Sequence, residues 1–254
     1  MNKNELCKEI LLMPIHCDKK YESIKLSEDG IILSGQKYRQ KYIDEVADPD
    51  VSDIAVHFYE IIYKDLFGKY NLSSLLNGCY FRCSEFAGDT MNSFNTTANK
   101  TPGAGIKSKE RTPKDEWPEY LRNYSERYHC LANFWLLPVE IGRSLDGNLN
   151  KARGPINDYM DNFLHMIKTE VKFDKSERCY FRAFDSWEDF VDTHFINGYI
   201  KNGAVNMYST GDVGLCSEKI IENMLSRVEQ RAEDIANSKY ADEIIELFNK
   251  LGLV

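Results

Sequence analysis

The sequence predicts a mainly α-helical protein of the α+β kind. It reads as one compact domain over residues 1–215 with a helical C-terminal extension over 216–254. Apolar residues recur at helical spacing in about six segments, whereas only one stretch alternates cleanly as a strand pair would. A chain of 254 residues with 43% hydrophobic and 28% charged residues has the ordinary balance of a folded globular protein and enough length for a substantial core. No internal repeat, low-complexity tract or obvious linker separates folding units.

Taken in order, residues 4–13 pattern as a short amphipathic helix. In "SIKLSEDGIILSG", Ile24 and Leu26 alternate with polar residues, Glu-Asp-Gly offers a turn, and Ile31 to Leu33 follow, which predicts a hairpin over 23–34. "DPDVSDIAVHFYEIIYKDLFGKY" opens with capping residues and spaces Ile54, Phe58, Ile61, Ile62 and Leu66 along one helical face, with Gly68 as its stop. His57 falls beside Phe58 as a boundary histidine of that helix. Residues 96–115, "TTANKTPGAGIKSKERTPKD", carry Thr, Pro, Gly and Lys with almost nothing apolar, and read as a solvated loop. A helix is expected from Trp117 through "WPEYLRNYSERYHCLANFWLL", with Pro118 in its first turn. The loop "EIGRSLDGNLNKARGP" leads to the amphipathic "INDYMDNFLHMIKTEV". "DSWEDFVDTHFINGYI" starts a helix at Asp185 or Ser186, with Glu188 and Asp189 placed to complement its N-terminal dipole. The last segment reads as two charged amphipathic helices broken near Asn237–Ser238.

Charge and cysteine content exclude several classes. The formal net charge of -8 and pI near 5.3 provide no overall attraction to nucleic-acid backbones or anionic lipid, so nucleic acid is possible only through a local basic patch. No run approaches the ~20 apolar residues of a membrane helix, and the short "ILLMPI" near the start does not resemble a signal peptide. Cysteines at 7, 17, 79, 83, 130, 179 and 216 are odd in number and scattered, as expected of reduced thiols in a cytoplasm. Cys79 and Cys83 lack the second pair a structural zinc site requires. No cofactor motif is present: "GAG" in the 96–115 loop lacks the remaining positions of a phosphate loop, and no Gly-x-Ser-x-Gly elbow occurs.

Two polar clusters are candidates for a site. His129 and Asn133 lie four apart, which on a helix gives them one face, and they are followed by Asn148, Asn150, Lys151, Arg153 and Asp158. Histidine serves as a general base or ligand, and arginine clamps an anion through two parallel hydrogen bonds. The competing reading is that His129 and Asn133 cap the loop after Pro138, because buried polar groups need partners. The second cluster, "SEFAGDTMNSFNT", brings Asp89, Thr90, Asn92, Ser93, Asn95 and Thr96 together around Met91 and Phe94. It reads equally as a binding loop or as a turn satisfying its own backbone. Metal binding rests on His129, His194, Asp89 and Asp158, none at a recognised ligand spacing.

The ordered series "GDTMNSF", "HCLANFWLLP", "LNKARGPINDYMDNFL" and "WEDFVDTHFINGYI" resembles a family of bacterial and phage-encoded proteins described as a domain of unknown function. The resemblance runs from about Asp89 to Tyr199. It implies where a site sits without naming a reaction. A weaker, local resemblance is to His-Asn-His (HNH) nucleases: Asn133 in "LANFWLLP" matches the motif asparagine and Asn150 the later one. Ala132 stands where that pattern has glycine, and no histidine-bearing metal element precedes Tyr128, so the resemblance is to a degenerate member.

Two functions follow as expectations. The first is a binding or interaction module whose polar pocket takes a protein partner or a small anionic ligand. The second is a hydrolase, nuclease-like, acting on a phosphate-bearing substrate. In it His129, Asn133 and Asp89 are catalytic, and Arg153, Asn150 and Asn92 bind substrate.

Overall fold

The computed structural model describes residues 1–17, 25–27, 30–33, 49–66, 86–92, 113–138, 159–173, 181, 184–209 and 216–254. Its helices are α1 (Lys3–Leu12), α2 (Asp53–Ile62), α3 (Glu119–Arg127), α4 (Met160–Glu170), α5 (Trp187–Thr193), α6 (Glu218–Ala236) and α7 (Ala241–Lys250). Short strands form three small sheets among the described residues: β1 (Ile15–Cys17) with β2 (Lys25–Ser27) and β3 (Gly30–Leu33), β4 (Phe86–Thr90) with β5 (Phe134–Pro138), and β6 (Ile200–Lys201) with β7 (Ala204–Val205). The fold is mainly α with small antiparallel β elements, as the sequence predicts.

Helix boundaries follow their capping chemistry. Asn2 and Glu5 form a reciprocal capping box at the start of α1. Ser52, Ser186 and Ser217 each accept a hydrogen bond from a first-turn amide at the starts of α2, α5 and α6. The C-terminal helices break after Ala236, where Asn237 caps α6, and α7 resumes at Ala241. Both pack on α1, and Val228, Ile235, Ile244 and Phe248 lie in the same core as Ile54, Phe58, Phe163 and Phe190. No helix among the described residues is long and apolar enough to cross a membrane.

The predicted hairpin is present, with Leu26 opposite Ile31 and Ser27 opposite Gly30. β1 joins its far edge in parallel, which makes that sheet mixed. The larger departure lies at the expected long helix from Trp117. Only Glu119–Arg127 is α-helical, with Pro118 as N-cap. The chain then turns at Tyr128–Cys130, makes a 3-10 turn over Leu131–Asn133, and continues as β5, which pairs antiparallel with β4. His129 and Asn133 therefore share no helical face. Phe134, Trp135 and Leu136 are all fully buried, so this part of the strand has no solvent side, and its sequence shows none of the alternation that identifies a half-exposed strand.

Candidate functional site

The four motif stretches converge on a buried hydrogen-bond network. Each sends at least one polar side chain into it: Asn92, Asn133, Asp161 and Tyr199 are 0 to 1% exposed. The Asn133 carboxamide uses both ends. Its Oδ1 accepts from the Asn92 amide at 3.2 Å and from Asn92 Nδ2 at 3.1 Å. Its Nδ2 donates to the Tyr128 carbonyl at 2.7 Å and to the Asn92 carbonyl at 3.4 Å. The ladder extends past β4 and β5 where the Met91 amide donates to the Asn133 carbonyl at 2.8 Å. Asn92 Nδ2 also donates to the Tyr199 hydroxyl at 2.8 Å, while the Tyr208 hydroxyl donates to Asn92 Oδ1 at 3.1 Å and the Tyr124 hydroxyl donates to the Asn92 carbonyl. Asp161 holds the following segment, accepting from the Tyr208 and Ser209 amides, each at 2.7 Å, and from Ser209 Oγ at 2.8 Å. Burial keeps the phenols of Tyr124 and Tyr208 protonated well above their ordinary range and pushes Tyr199 up to about 12.

The partners of Asn133 are thus the segment after β4 and the turn before it, rather than the loop after Pro138. Asn150 and Arg153 lie outside the described residues, as do Asn148, Lys151, Asp158, Ser93, Asn95, Thr96 and nearly all of the 96–115 loop. His129 is half-buried; its ring lies tilted by 36° against Tyr128 with centroids 3.8 Å apart and faces Phe134 edge-on at 5.9 Å, while its carbonyl accepts from the Ile15 amide. Asp89 is half-buried on β4 opposite Trp135. Its negative charge joins that of Asp50 in disfavouring ionisation of Tyr59, whose phenol is raised chiefly by burial. The adjacent Thr90 hydroxyl donates to Asp50 Oδ2 at 2.9 Å. Structure brings Asn92 and Asn133 into direct contact and gives His129 and Asp89 different neighbourhoods.

A second buried polar centre was not anticipated. Arg231 of α6 is 1% exposed. Its Nε donates to the His194 carbonyl at 2.9 Å, and Nη1 donates to the carbonyls of Ala132 at 2.8 Å and Phe134 at 2.7 Å. Ala132 lies in the 3-10 turn, Phe134 at the start of β5 and His194 at the end of α5, and the guanidinium fork, with five donors in fixed directions, satisfies all three carbonyls at once. Nη2 donates to the Tyr63 hydroxyl at 3.5 Å, and that hydroxyl lies 2.8 Å from His194 Nδ1. Burial, followed by the Arg231 charge, holds His194 well below its usual range, hence neutral. With Tyr63 oxygen accepting from Arg231, its proton points to Nδ1, which leaves the imidazole proton on Nε2. A signal exists in the sequence: Val228, Arg231, Ala232 and Ile235 fall on one helical stripe, so the arginine interrupts an apolar face.

Beside this centre lies a cavity of about 190 Å³ between α2, α5 and α7. Aromatic side chains of Tyr63, Phe184, Phe195 and Tyr240 form much of its wall, and Asp65, Asp189 and Asp192 supply its carboxylates. Phe195 follows α5 in a left-handed conformation (φ 55°). Its amide donates to the Asp192 carbonyl and the Ile196 amide to that of Val191, the paired bonds of a helix-terminating motif whose left-handed residue is usually glycine. A phenylalanine at that φ is strained, and its ring packs edge-on against Tyr240 at 6.0 Å.

Among the described residues no three His, Cys, Asp or Glu side chains gather as a metal site would require. Cys7, Cys130 and Cys216 form no disulfide and are buried, and burial pushes the thiols of Cys7 and Cys130 up to about 11, away from reactive thiolate. Comparison with protein-family models, with curated proteins and with solved structures finds no match to this chain.

Proposed function

We propose that the chain is a small-molecule-binding module whose ligand seat is the cavity between α2, α5 and α7, and that its asparagine–tyrosine network is scaffolding. The observation that carries this reading is the separation of the two features. Asn92 and Asn133 spend their polar atoms on each other and on neighbouring hydroxyls and carbonyls inside the fold, while the aromatic and acidic cavity lies elsewhere. A general base must reach the proton it removes, and none of His129, Asn133 and Asp89 is among the residues that line that cavity. The motif series supports grouping the chain with the uncharacterised bacterial and phage-encoded proteins it resembles, and its buried thiols, which form no disulfide, support a reducing compartment such as the cytoplasm.

Ligand-observed NMR with a library of small charged and neutral fragments tests the reading, using Thr193→Trp to fill the cavity. Saturable binders lost in that variant support it. The absence of any binder, or cleavage of DNA or RNA with a divalent metal that His129→Ala abolishes without lowering the melting temperature, overturns it in favour of the nuclease-like hydrolase.

A further inference from the structure

We propose that the cavity between α2, α5 and α7 takes a small organic cation of the alkylammonium class; this rests on the cavity being a ligand seat. Size sets the first limit. A void of roughly 150 Å³ accommodates benzene, so about 190 Å³ suits a compact ligand group of choline size.

Charge sets the second. All the ionisable acids and bases among the lining residues apart from tyrosine are aspartates: Asp65 from the segment after α2, and Asp189 and Asp192 from α5. Each α5 aspartate spends one oxygen on the protein, Asp189 Oδ2 accepting from the Asp185 amide at 2.9 Å and Asp192 Oδ1 from Asn197 Nδ2 at 3.0 Å. Their second oxygens make no hydrogen bond to the described residues. Two carboxylates three residues apart on one helix repel each other, and a cation between them relieves that repulsion.

Aromatic chemistry gives an independent indication. The face of Tyr240 already attracts the chain's own ammonium groups: Lys64 Nζ lies 5.2 Å and Lys239 Nζ 5.1 Å from its ring centroid. Lys239 also donates to Asp65 Oδ2 at 2.7 Å, and that contact holds the Asp65 carboxyl below its ordinary range. The rim therefore carries an internal rival for any incoming cation. Removing the rival should strengthen binding, an effect that a merely structural Lys239 does not produce.

The probes are choline and its neutral isostere 3,3-dimethyl-1-butanol, titrated into the full chain by calorimetry. Choline is expected to bind saturably and at least about tenfold more tightly than the isostere, the gain a charge over desolvated aromatic faces provides. Lys239→Ala should tighten choline binding, and Asp192→Asn should weaken it. Phe195→Gly removes an aromatic wall while placing at φ 55° the residue that conformation favours. The variant should stay folded and lose about tenfold in choline affinity. Equal binding of choline and the isostere, or tightening by Asp192→Asn, overturns the cation assignment and leaves the ligand-seat reading standing. Failure of choline alone, with other fragments still competing at the cavity, also overturns it. Failure of every fragment removes both.

Discussion

At the scale of single residues, Asn133 and His194 show why burial decides what a polar group does. Asn133 satisfies two donors of Asn92 and one carbonyl of Tyr128 in a site with no water access, so its side chain specifies how the turn before β5 meets the end of β4. Truncation leaves those groups unpaired. Asn133→Ala is expected to lower stability by about 3 kcal/mol, or roughly 6–12 °C in melting temperature for a chain of this size. Differential scanning calorimetry checks it, and a shift under a degree or two would show that the network relaxes around the loss. His194 has a different signature. Its imidazole is neutral in the fold well below its ordinary 6.5, whereas the unfolded chain takes up the proton near that value. Below pH ~6.5 the unfolded state binds more protons than the native one, so stability falls as pH drops through that range. In His194→Gln the melting temperature should depend less steeply on pH between about 6.5 and 5. An unchanged slope would assign the acid sensitivity to carboxylates instead.

At the scale of elements, Arg231 joins pieces distant in sequence: α6 supplies the side chain, the Leu131–Asn133 turn and β5 supply carbonyls, and the end of α5 supplies another. Arg231→Met should cost about 3–5 kcal/mol, because it leaves three buried carbonyls unpaired at roughly 1–3 kcal/mol each, part of which relaxation recovers. Arg231→Lys should rescue little, because a single ammonium cannot reach carbonyls on both sides of the fork. Full rescue by lysine, measured by denaturant melts, would mean that charge rather than geometry matters. These elements also show what the sequence makes legible. The capping residues before α2, the Ser186 cap of α5, the hairpin whose strands are Lys25–Ser27 and Gly30–Leu33, and the break after Ala236 are local signals, so spacing and capping chemistry suffice to find them. β5 escapes because "FWLLP" is apolar on both faces, and a short continuous apolar run is compatible with helix or strand until its partner is known. Its partner, β4, hides in "SEFAGDTMNSFNT", a polar-looking stretch whose Thr90, Met91 and Asn92 are buried. The cavity escapes for a stronger reason. Its walls come from residues 62–66, 184–195 and 240, which only tertiary packing assembles.

At the scale of the whole molecule, phenol hydroxyls carry much of the interior's polarity, beside the buried Asp50, Asp161 and Arg231. Tyr59, Tyr63, Tyr124, Tyr199 and Tyr208 put phenols into hydrogen bonds with Asp50's carbonyl, His194 and Asn92. A phenol at neutral pH brings a donor and an acceptor into the core without the desolvation penalty of an ion, which suits a chain whose surface is already acidic. The consequence is sensitivity to alkali. Burial raises all five phenols above the ordinary value of 10, Tyr63 and Tyr199 to about 12. Above that ordinary value the unfolded chain releases phenolic protons that the native chain retains, so the native state binds more protons and stability falls as pH rises. Phenolate absorbance and far-ultraviolet circular dichroism, followed together above about pH 10, should therefore show two steps. Exposed tyrosines ionise first with the helical signal intact, and the buried set then ionises cooperatively as that signal collapses. If all fifteen tyrosines titrate smoothly near their ordinary value while the helical signal persists, the phenols are not locked in the interior and this account of the core is wrong.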